Sequence, residues 1–166
     1  MTGHPIPEPD DAALQEYGRL IWAAIGLEDV VYHLGDVLGL DVMALKAGSV
    51  SAAIRAMRRE LATRPESEAA EKARRWFGVA QDALNERNKV LHVVPGVWVT
   101  IAAGHGVTQH GPVLEYVGRK PGSYLRTPMT VEGLRPIRER IEQARSGWLD
   151  VFTALAADYE GFQPHA

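Results

Sequence analysis

Hydrophobic residues recur every three or four positions over most of the chain, which is the period of an amphipathic helix. We call each such row of hydrophobic positions a seam. The first seam predicts a long helix from about residue 11 to near Gly39. A second, shorter helix is predicted after Ser49, with arginines on its outward side. The first seam comprises Tyr17, Leu20, Ala24, Leu27, Val31, Leu34 and Leu38, and the second comprises Val50, Ile54, Met57 and Leu61.

A third helix is predicted from a possible cap and from the residues that would end it. Thr63-Arg64-Pro65-Glu66 has the spacing of a capping box, in which the threonine hydroxyl and the glutamate satisfy each other's backbone donors. The helix that starts there is expected to run to Val94. Pro95-Gly96 should end it, because proline cannot continue the hydrogen-bond ladder.

The hydrophobic pattern then changes to one that is typical of strands. VWVTIAA at 97–103 and VLEYV at 113–117 are rich in β-branched and aromatic residues. The glycine-rich sequence between them predicts a hairpin turn, and SYLRT is a candidate third strand.

A last seam predicts a long final helix that reaches roughly Asp158. We expect it to begin near Leu134 after a loose turn, because Pro136 fits poorly in a helix interior. The predicted fold class is therefore mainly α: an up-and-down bundle of about four helices with a small β-hairpin insert, at about 97–127, before the last helix. A flexible N-terminal segment at 1–10 would precede a single domain at 11–160.

Composition narrows the class of protein further. The 166 residues are 46% hydrophobic and 23% charged, as in an ordinary globular domain, and they include no cysteine. No apolar run is long enough to span a bilayer and the N-terminus lacks the pattern of a signal peptide, so we predict a cytoplasmic protein without a membrane partner. A net charge of -3 argues against coating nucleic acid by charge alone. Any RNA contact should be confined to a local site.

The segment NERNKVLH at 85–92 places an arginine, an asparagine and a histidine in what otherwise reads as a core helix. Arg87 occupies a seam position, where its permanent charge is costly to bury unless a carboxylate, a carbonyl or a bound anion satisfies it. Helical geometry places Asn88 and His92 about 40° apart on one flank, and Arg87 about 140° from His92. All three can border one groove that runs along the helix end or is completed by a second subunit.

Arg87-Asn88-Lys89-Val90-Leu91-His92 resembles the motif of the HEPN (higher eukaryotes and prokaryotes nucleotide-binding) superfamily, in which an arginine, a polar residue and three variable residues precede a histidine. The resemblance implies a motif near the C-terminal end of a bundle helix and a cleft between two protomers. It also implies an endoribonuclease that needs no metal or cofactor, of the kind found in toxin–antitoxin pairs and antiviral defence. A cognate antitoxin or regulatory protein is then an expected partner. The β hairpin departs from the minimal family fold.

The chemistry of such a site can be assigned to the three residues. Cleavage of RNA without a metal ion needs a group that takes the ribose 2′-hydroxyl proton, a group that protonates the leaving oxygen and a fixed cation. His92 suits proton transfer near neutral pH, and the planar fork of Arg87 suits the phosphate. Asn88 would orient the substrate. Two histidines across a dimer would divide the acid and base roles and leave a 2′,3′-cyclic phosphate and a 5′-hydroxyl.

Glu28 is a candidate supporting residue of the site. It lies with Ile25 and Tyr32 on a second apolar face of the first helix, where a carboxylate usually needs a partner. Arg87 is a candidate for that partner. In the alternative interpretation, Glu28 simply points to solvent at the edge of the bundle.

Two other functions fit the same sequence. In the first, the bundle is a non-catalytic interaction module that dimerises or binds nucleotide, RNA or a protein, and Arg87 forms a buried ion pair that fixes helix register. In the second, the chain regulates another protein through an exposed hairpin.

Other candidate motifs carry less information. His105 and His110 lie near the predicted turn without the third ligand that a zinc site needs, so no metal is predicted. No phosphate-binding glycine loop or nucleophile elbow is present, which disfavours kinases and serine hydrolases. Two runs of basic residues could follow a phosphate backbone, although such runs are more often solvated helix faces: Arg55, Arg58 and Arg59, and Lys72, Arg74 and Arg75.

Overall fold

The computed structural model describes residues 8–91, 94–102, 106–117 and 124–158. These ranges form a mainly helical protein with a small antiparallel sheet before the last helices, which confirms the predicted fold class. None of the helices within them combines the length and the apolar character needed to cross a bilayer. The elements are α1 (Asp11–Val37), α2 (Val42–Lys46), α3 (Val50–Ala62), α4 (Glu68–Leu91), β1 (Val94–Ala102), β2 (Gly106–Val117), β3 (Tyr124–Pro128), α5 (Val131–Ser146) and α6 (Trp148–Asp158).

Two compact units divide the chain. The first, here called the sheet unit, contains the chain up to Trp22 and Asn85–Glu139. The second, here called the helical unit, contains Ala23–Leu84 and the chain from Arg140. Each unit joins an early segment of the chain to a late one. The prediction of a single domain at 11–160 stays a prediction, and most of the segment predicted to be flexible, residues 1–7, lies outside the described ranges.

The helical unit is a bundle whose core is filled by the predicted seams. Polar contacts fix its helices against one another: Nε1 of Trp76 donates to the carbonyl of Ala144 at 2.8 Å, and Nε2 of Gln81 donates to Oγ of Ser51 at 3.0 Å. The first contact joins α4 to α5, and the second joins α4 to α3. The fully buried side chains of this unit include Leu27, Leu34, Ile54, Met57, Leu61, Phe77, Leu84, Ile141 and Leu155.

The C-terminal end of α1 and the start of α3 agree with the sequence prediction. Gly39 has φ of 75°, a left-handed conformation that favours glycine, and the amide of Leu40 donates to the carbonyl of Gly35 at 3.0 Å. Oγ of Ser49 accepts from the amide of Ala52 at 3.2 Å and caps α3. The short helix α2 was not predicted. Its cap is Asp41, whose carboxylate accepts from the amides of Met43 and Ala44.

The predicted capping box at Thr63 is wrong. Helix α4 begins at Glu68, and Oγ of Ser67 caps it by accepting from the amide of Ala70 at 3.1 Å. Thr63 instead ends α3, and its hydroxyl donates to the carbonyl of Glu60 at 2.7 Å. Pro65 explains the shift, because a proline disfavours the helical conformation in the residue before it.

The predicted end of the third helix is also wrong. Helix α4 ends at Leu91, and Val94 is the first residue of β1. Strand β1 continues through Pro95, and strand β2 includes much of the glycine-rich sequence that was predicted as a turn. Pairing between strands overrides the local preference of glycine and proline, because strand formation depends strongly on context. The third strand is confirmed as β3, which pairs antiparallel with β2.

The C-terminal helix begins earlier than predicted and is interrupted. Oγ1 of Thr130 accepts from the amide of Gly133 at 3.2 Å, so that α5 starts at Val131 and contains Pro136. Pro136 is the sixth residue of α5, so the helix tolerates the loss of one backbone donor there. The predicted single helix is two helices, α5 and α6, separated at Gly147. A Cβ at Gly147 would meet the Trp76 ring at 3.4 Å, so the small residue suits the break.

Candidate functional site

The final turns of α4 carry two of the predicted site residues. Arg87 and Asn88 are adjacent in this helix, and each is half-buried. His92, the predicted proton-transfer residue, lies outside the described residues. The described part of the motif is thus an arginine and an amide that share the C-terminal end of one helix within the sheet unit.

The amide of Asn88 has an unusual environment for a helical residue. Its Oδ1 atom is buried and accepts no hydrogen bond from any residue that the structure describes. Leaving a buried acceptor unsatisfied costs about 1–3 kcal/mol, and packing alone would be served better by an apolar residue. Oδ1 of Asn88 is therefore an acceptor to which a bound group can donate. Nε of Arg87 is also buried and donates no hydrogen bond to the described residues, although the arginine takes part in another interaction with the protein.

The residues around this pair hold the helix end in place. Lys89 forms an ion pair with Glu86 along the same helix, so these two charges are engaged with each other. The Tyr17 hydroxyl donates to the carbonyl of Val90 at 3.3 Å and so ties the start of α1 to the last turn of α4. Burial raises the pKa of Tyr17 above its ordinary value of 10.0, because desolvation penalises the phenolate. The tyrosine is thus a neutral donor at physiological pH.

A buried carboxylate in the same unit was missed by sequence reasoning. Glu16 is only 2% exposed, and its Oε1 accepts from Nε of Arg138 at 2.6 Å. Arg19 lies 3.6 Å from the other carboxylate oxygen. The signal was present in the sequence, because Glu16 stands three residues after Ala13 and four before Leu20, and both are fully buried. A charge on that seam indicates a buried partner.

Glu28 is half-buried on α1 and belongs to the helical unit, whereas Arg87 belongs to the sheet unit. Glu28 takes part in an interaction with the protein, so its carboxylate is engaged. Its assignment as a partner of Arg87 stays a prediction.

The two histidines near the predicted turn have different places in the structure. His110 belongs to β2, where its backbone pairs with Trp98, and His105 lies outside the described residues. Within the described ranges no three side chains of His, Asp or Glu are grouped in a way that could hold a metal ion.

Comparisons with known proteins add no relative to this picture. No protein-family model, no curated protein and no solved structure matches the chain.

Proposed function

We propose that this protein is a metal-independent endoribonuclease of the HEPN type, acting as a homodimer whose motifs form one composite cleft. The observation that carries the proposal is the buried, unsatisfied Oδ1 of Asn88 beside Arg87 at the end of α4. A polar group kept in such a place at a cost in stability is typical of a binding site. A toxin or antiviral-defence role, held in check by an antitoxin or another regulator, is part of the proposal.

Each motif residue has a role that its chemistry supports. Asn88 accepts a hydrogen bond from a ribose hydroxyl or a base amino group and thereby orients the RNA strand. Arg87 holds the scissile phosphate and stabilises the negative charge that develops on it. His92 of one protomer removes the 2′-hydroxyl proton, and His92 of the other protonates the 5′ oxygen that leaves. The products carry a 2′,3′-cyclic phosphate and a 5′-hydroxyl.

A non-catalytic interaction module is the second candidate, and the surface of α1 favours it. Trp22 is 72% exposed, and Leu14 and Ile25 on the same helix are 48% and 54% exposed. Large apolar side chains that remain in water are common where a protein partner binds. In this alternative Arg87 serves only the structure of the helix end.

Cleavage of a labelled RNA pool in EDTA separates the two candidates. Wild type, His92→Ala and Asn88→Ala are compared with His33→Ala, which removes an exposed histidine whose Nδ1 contacts Asp29 on its own helix. We expect wild type and His33→Ala to cleave at the same rate and to leave cyclic phosphate ends. His92→Ala should lose activity by at least about a hundredfold, as expected for removal of a general acid or base.

Circular dichroism must show that the variants are folded before their rates are compared. Equal cleavage by wild type and His92→Ala would reject the assigned mechanism. Absence of cleavage in every folded sample, over RNAs of varied sequence and structure, would favour the interaction module.

A further inference from the structure

Three exposed arginines lie on the outward side of α3. Arg55, Arg58 and Arg59 are exposed, and their spacing of three and four residues places them on one side of the helix. None of them forms an ion pair or a hydrogen bond with the residues that the structure describes. We call these three residues the arginine face.

Two other exposed arginines of the protein have carboxylate partners close by. Arg75 lies 3.4 Å from Glu71, and Arg19 lies 3.6 Å from Glu16. On α3 the single acidic residue is Glu60, which is half-buried and already bonded to Arg64 at 2.9 Å. The positive charge of the arginine face is therefore not neutralised within its own helix.

Packing of α3 against α4 supports the position of one of these arginines. The guanidinium of Arg58 lies over Gly78 of α4, 3.6 Å from the point where a Cβ would stand. Gly78 has no side chain to fill this space, so the guanidinium of Arg58 extends over α4. One helical turn to either side of Gly78, α4 carries Arg74, Arg75 and Asp82. Arg74 lies 3.5 Å from Glu66, and Arg75 lies 3.4 Å from Glu71. Arg58 thus widens the basic surface beyond α3 itself.

We propose that the arginine face binds the phosphate backbone of RNA through residues other than those of the α4 motif. Arginine suits this ligand because its planar fork donates two hydrogen bonds to phosphate oxygens. Arg55 and Arg59 are about 6 Å apart along the helix axis, a length that covers about two phosphates of one strand. The choice of RNA as the ligand rests on the proposed function.

The charge of the whole chain makes this face distinctive. The net charge is -3, so the general surface repels a polyanion and only a local excess of cations can attract one. Small neighbours on α3, Ala52 and Ala62, leave the arginines free to reach a strand without steric competition. The contacts would be sequence-independent and would position the RNA rather than select bases.

The test measures binding of a fluorescein-labelled single-stranded RNA to the full-length His92→Ala protein, so that cleavage does not interfere. Fluorescence anisotropy at several salt concentrations gives the affinity and its salt dependence. The test variant carries Arg55→Gln, Arg58→Gln and Arg59→Gln. The matched control carries Arg19→Gln, Lys46→Gln and Arg135→Gln, which remove the same total charge from exposed positions elsewhere.

We expect the test variant to bind at least about tenfold more weakly, with the slope of log K against log salt reduced by about 1.4, at roughly 0.7 for each of the two phosphates that the face covers. The control should change affinity less than twofold. Replacing the three arginines by lysine should keep most of the salt dependence, since the charge remains. Equal weakening in the test and control variants, or no weakening in either, would overturn the proposal.

The outcomes separate this inference from the proposed function. RNA binding through the arginine face by a protein that never cleaves RNA would reject the ribonuclease and leave the inference standing. Cleavage by a protein whose RNA affinity ignores these arginines would do the reverse. Arginine-dependent binding of poly-glutamate with no binding of RNA, even at low salt, would assign the face to an acidic protein and so reject the inference.

Discussion

Arg138 and Glu16 form a buried ion pair, in which Nε of the arginine lies 2.6 Å from Oε1 of the glutamate. It joins the start of α5 to the start of α1 within the sheet unit. The carboxylate is almost completely removed from water. The free energy of unfolding therefore depends on the cations that face this buried charge.

We predict that Arg138→Met lowers the free energy of unfolding by about 3 kcal/mol, because Glu16 would keep a buried charge without its close partner. The double variant Glu16→Met, Arg138→Met should recover most of that loss, since no buried charge remains. Arg19→Met is the control: its side chain is 68% exposed and 3.6 Å from the carboxylate, so it should change stability by less than about 1 kcal/mol. Urea denaturation measures all four proteins, and a double variant no more stable than Arg138→Met would contradict the explanation.

Tyr17 gives the protein a sensitivity to alkaline pH. The folded-state pKa lies above 10.0, so the contribution of the hydroxyl to stability is complete below pH 10 and is lost as pH rises through the higher folded value. Tyr17→Phe should cost about 1 kcal/mol at pH 8 by removing the bond to Val90. The difference between wild type and variant should shrink above pH 10, as shown by urea melts at each pH. A constant difference up to pH 12 would reject the assignment.

Replacement of Asn88 is expected to have different effects on stability and on RNA cleavage. Asn88→Leu removes a buried acceptor that the described residues leave unsatisfied, so we expect the free energy of unfolding to stay equal or to rise by up to about 1 kcal/mol. Cleavage of RNA should be lost in the same variant. Thermal melts and the EDTA cleavage assay measure the two properties on one sample. A strongly destabilised variant would show that Asn88 has a structural role instead.

Trp76 is expected to contribute more to the free energy of unfolding than Trp148, the first residue of α6. Nε1 of Trp76 donates to the carbonyl of Ala144, which lies in the last turn of α5 and has no further helical turn to bond to. Trp76→Phe should therefore lower the free energy of unfolding by about 2 kcal/mol. Trp148→Phe is the control, because Trp148 is half-buried and donates no hydrogen bond to the described residues. Equal losses in the two variants would show that ring volume, and not the hydrogen bond, dominates.

The corrected start of α4 can be tested by deleting hydroxyls. Ser67→Ala should lower the free energy of unfolding by about 1 kcal/mol, because its Oγ caps the helix. Thr63→Ala should cost less, since its exposed hydroxyl bonds only to the end of α3. A larger loss for Thr63→Ala would favour the capping box that the sequence suggested.

Seams of hydrophobic residues were sufficient to predict the long helices, because burial of one face dominates helix formation in a folded chain. The same reasoning predicted the buried face of α3 and its start after Ser49. It failed where a local signal competes with the rest of the chain: Thr63 was an acceptable cap, but Pro65 moves the helix start to Ser67. It also failed at Gly106–Val117, where pairing with β1 determines the structure. Such pairing cannot be predicted from the local sequence.

Sequence reasoning also predicted the candidate site only in part. The position of Arg87 on a seam predicted a residue with a special environment, and Asn88 beside it has one. The burial of Glu16 could equally have been predicted from its seam. Its partner Arg138 could not, because helix periodicity does not show which distant residues meet. The same limit applies to Glu28 and Arg87.

The Glu16–Arg138 contact joins residues that are 122 positions apart, and the sheet unit is built from the start and the later part of the chain. Contacts of such high sequence separation form slowly, because a long loop must close first. A ribosome must therefore synthesise α5 before the start of α1 finds its partner, and until then the buried carboxylate remains in water. Nascent chains that stop short of Arg138 would not complete the sheet unit, so the candidate site at the end of α4 is completed only late in synthesis.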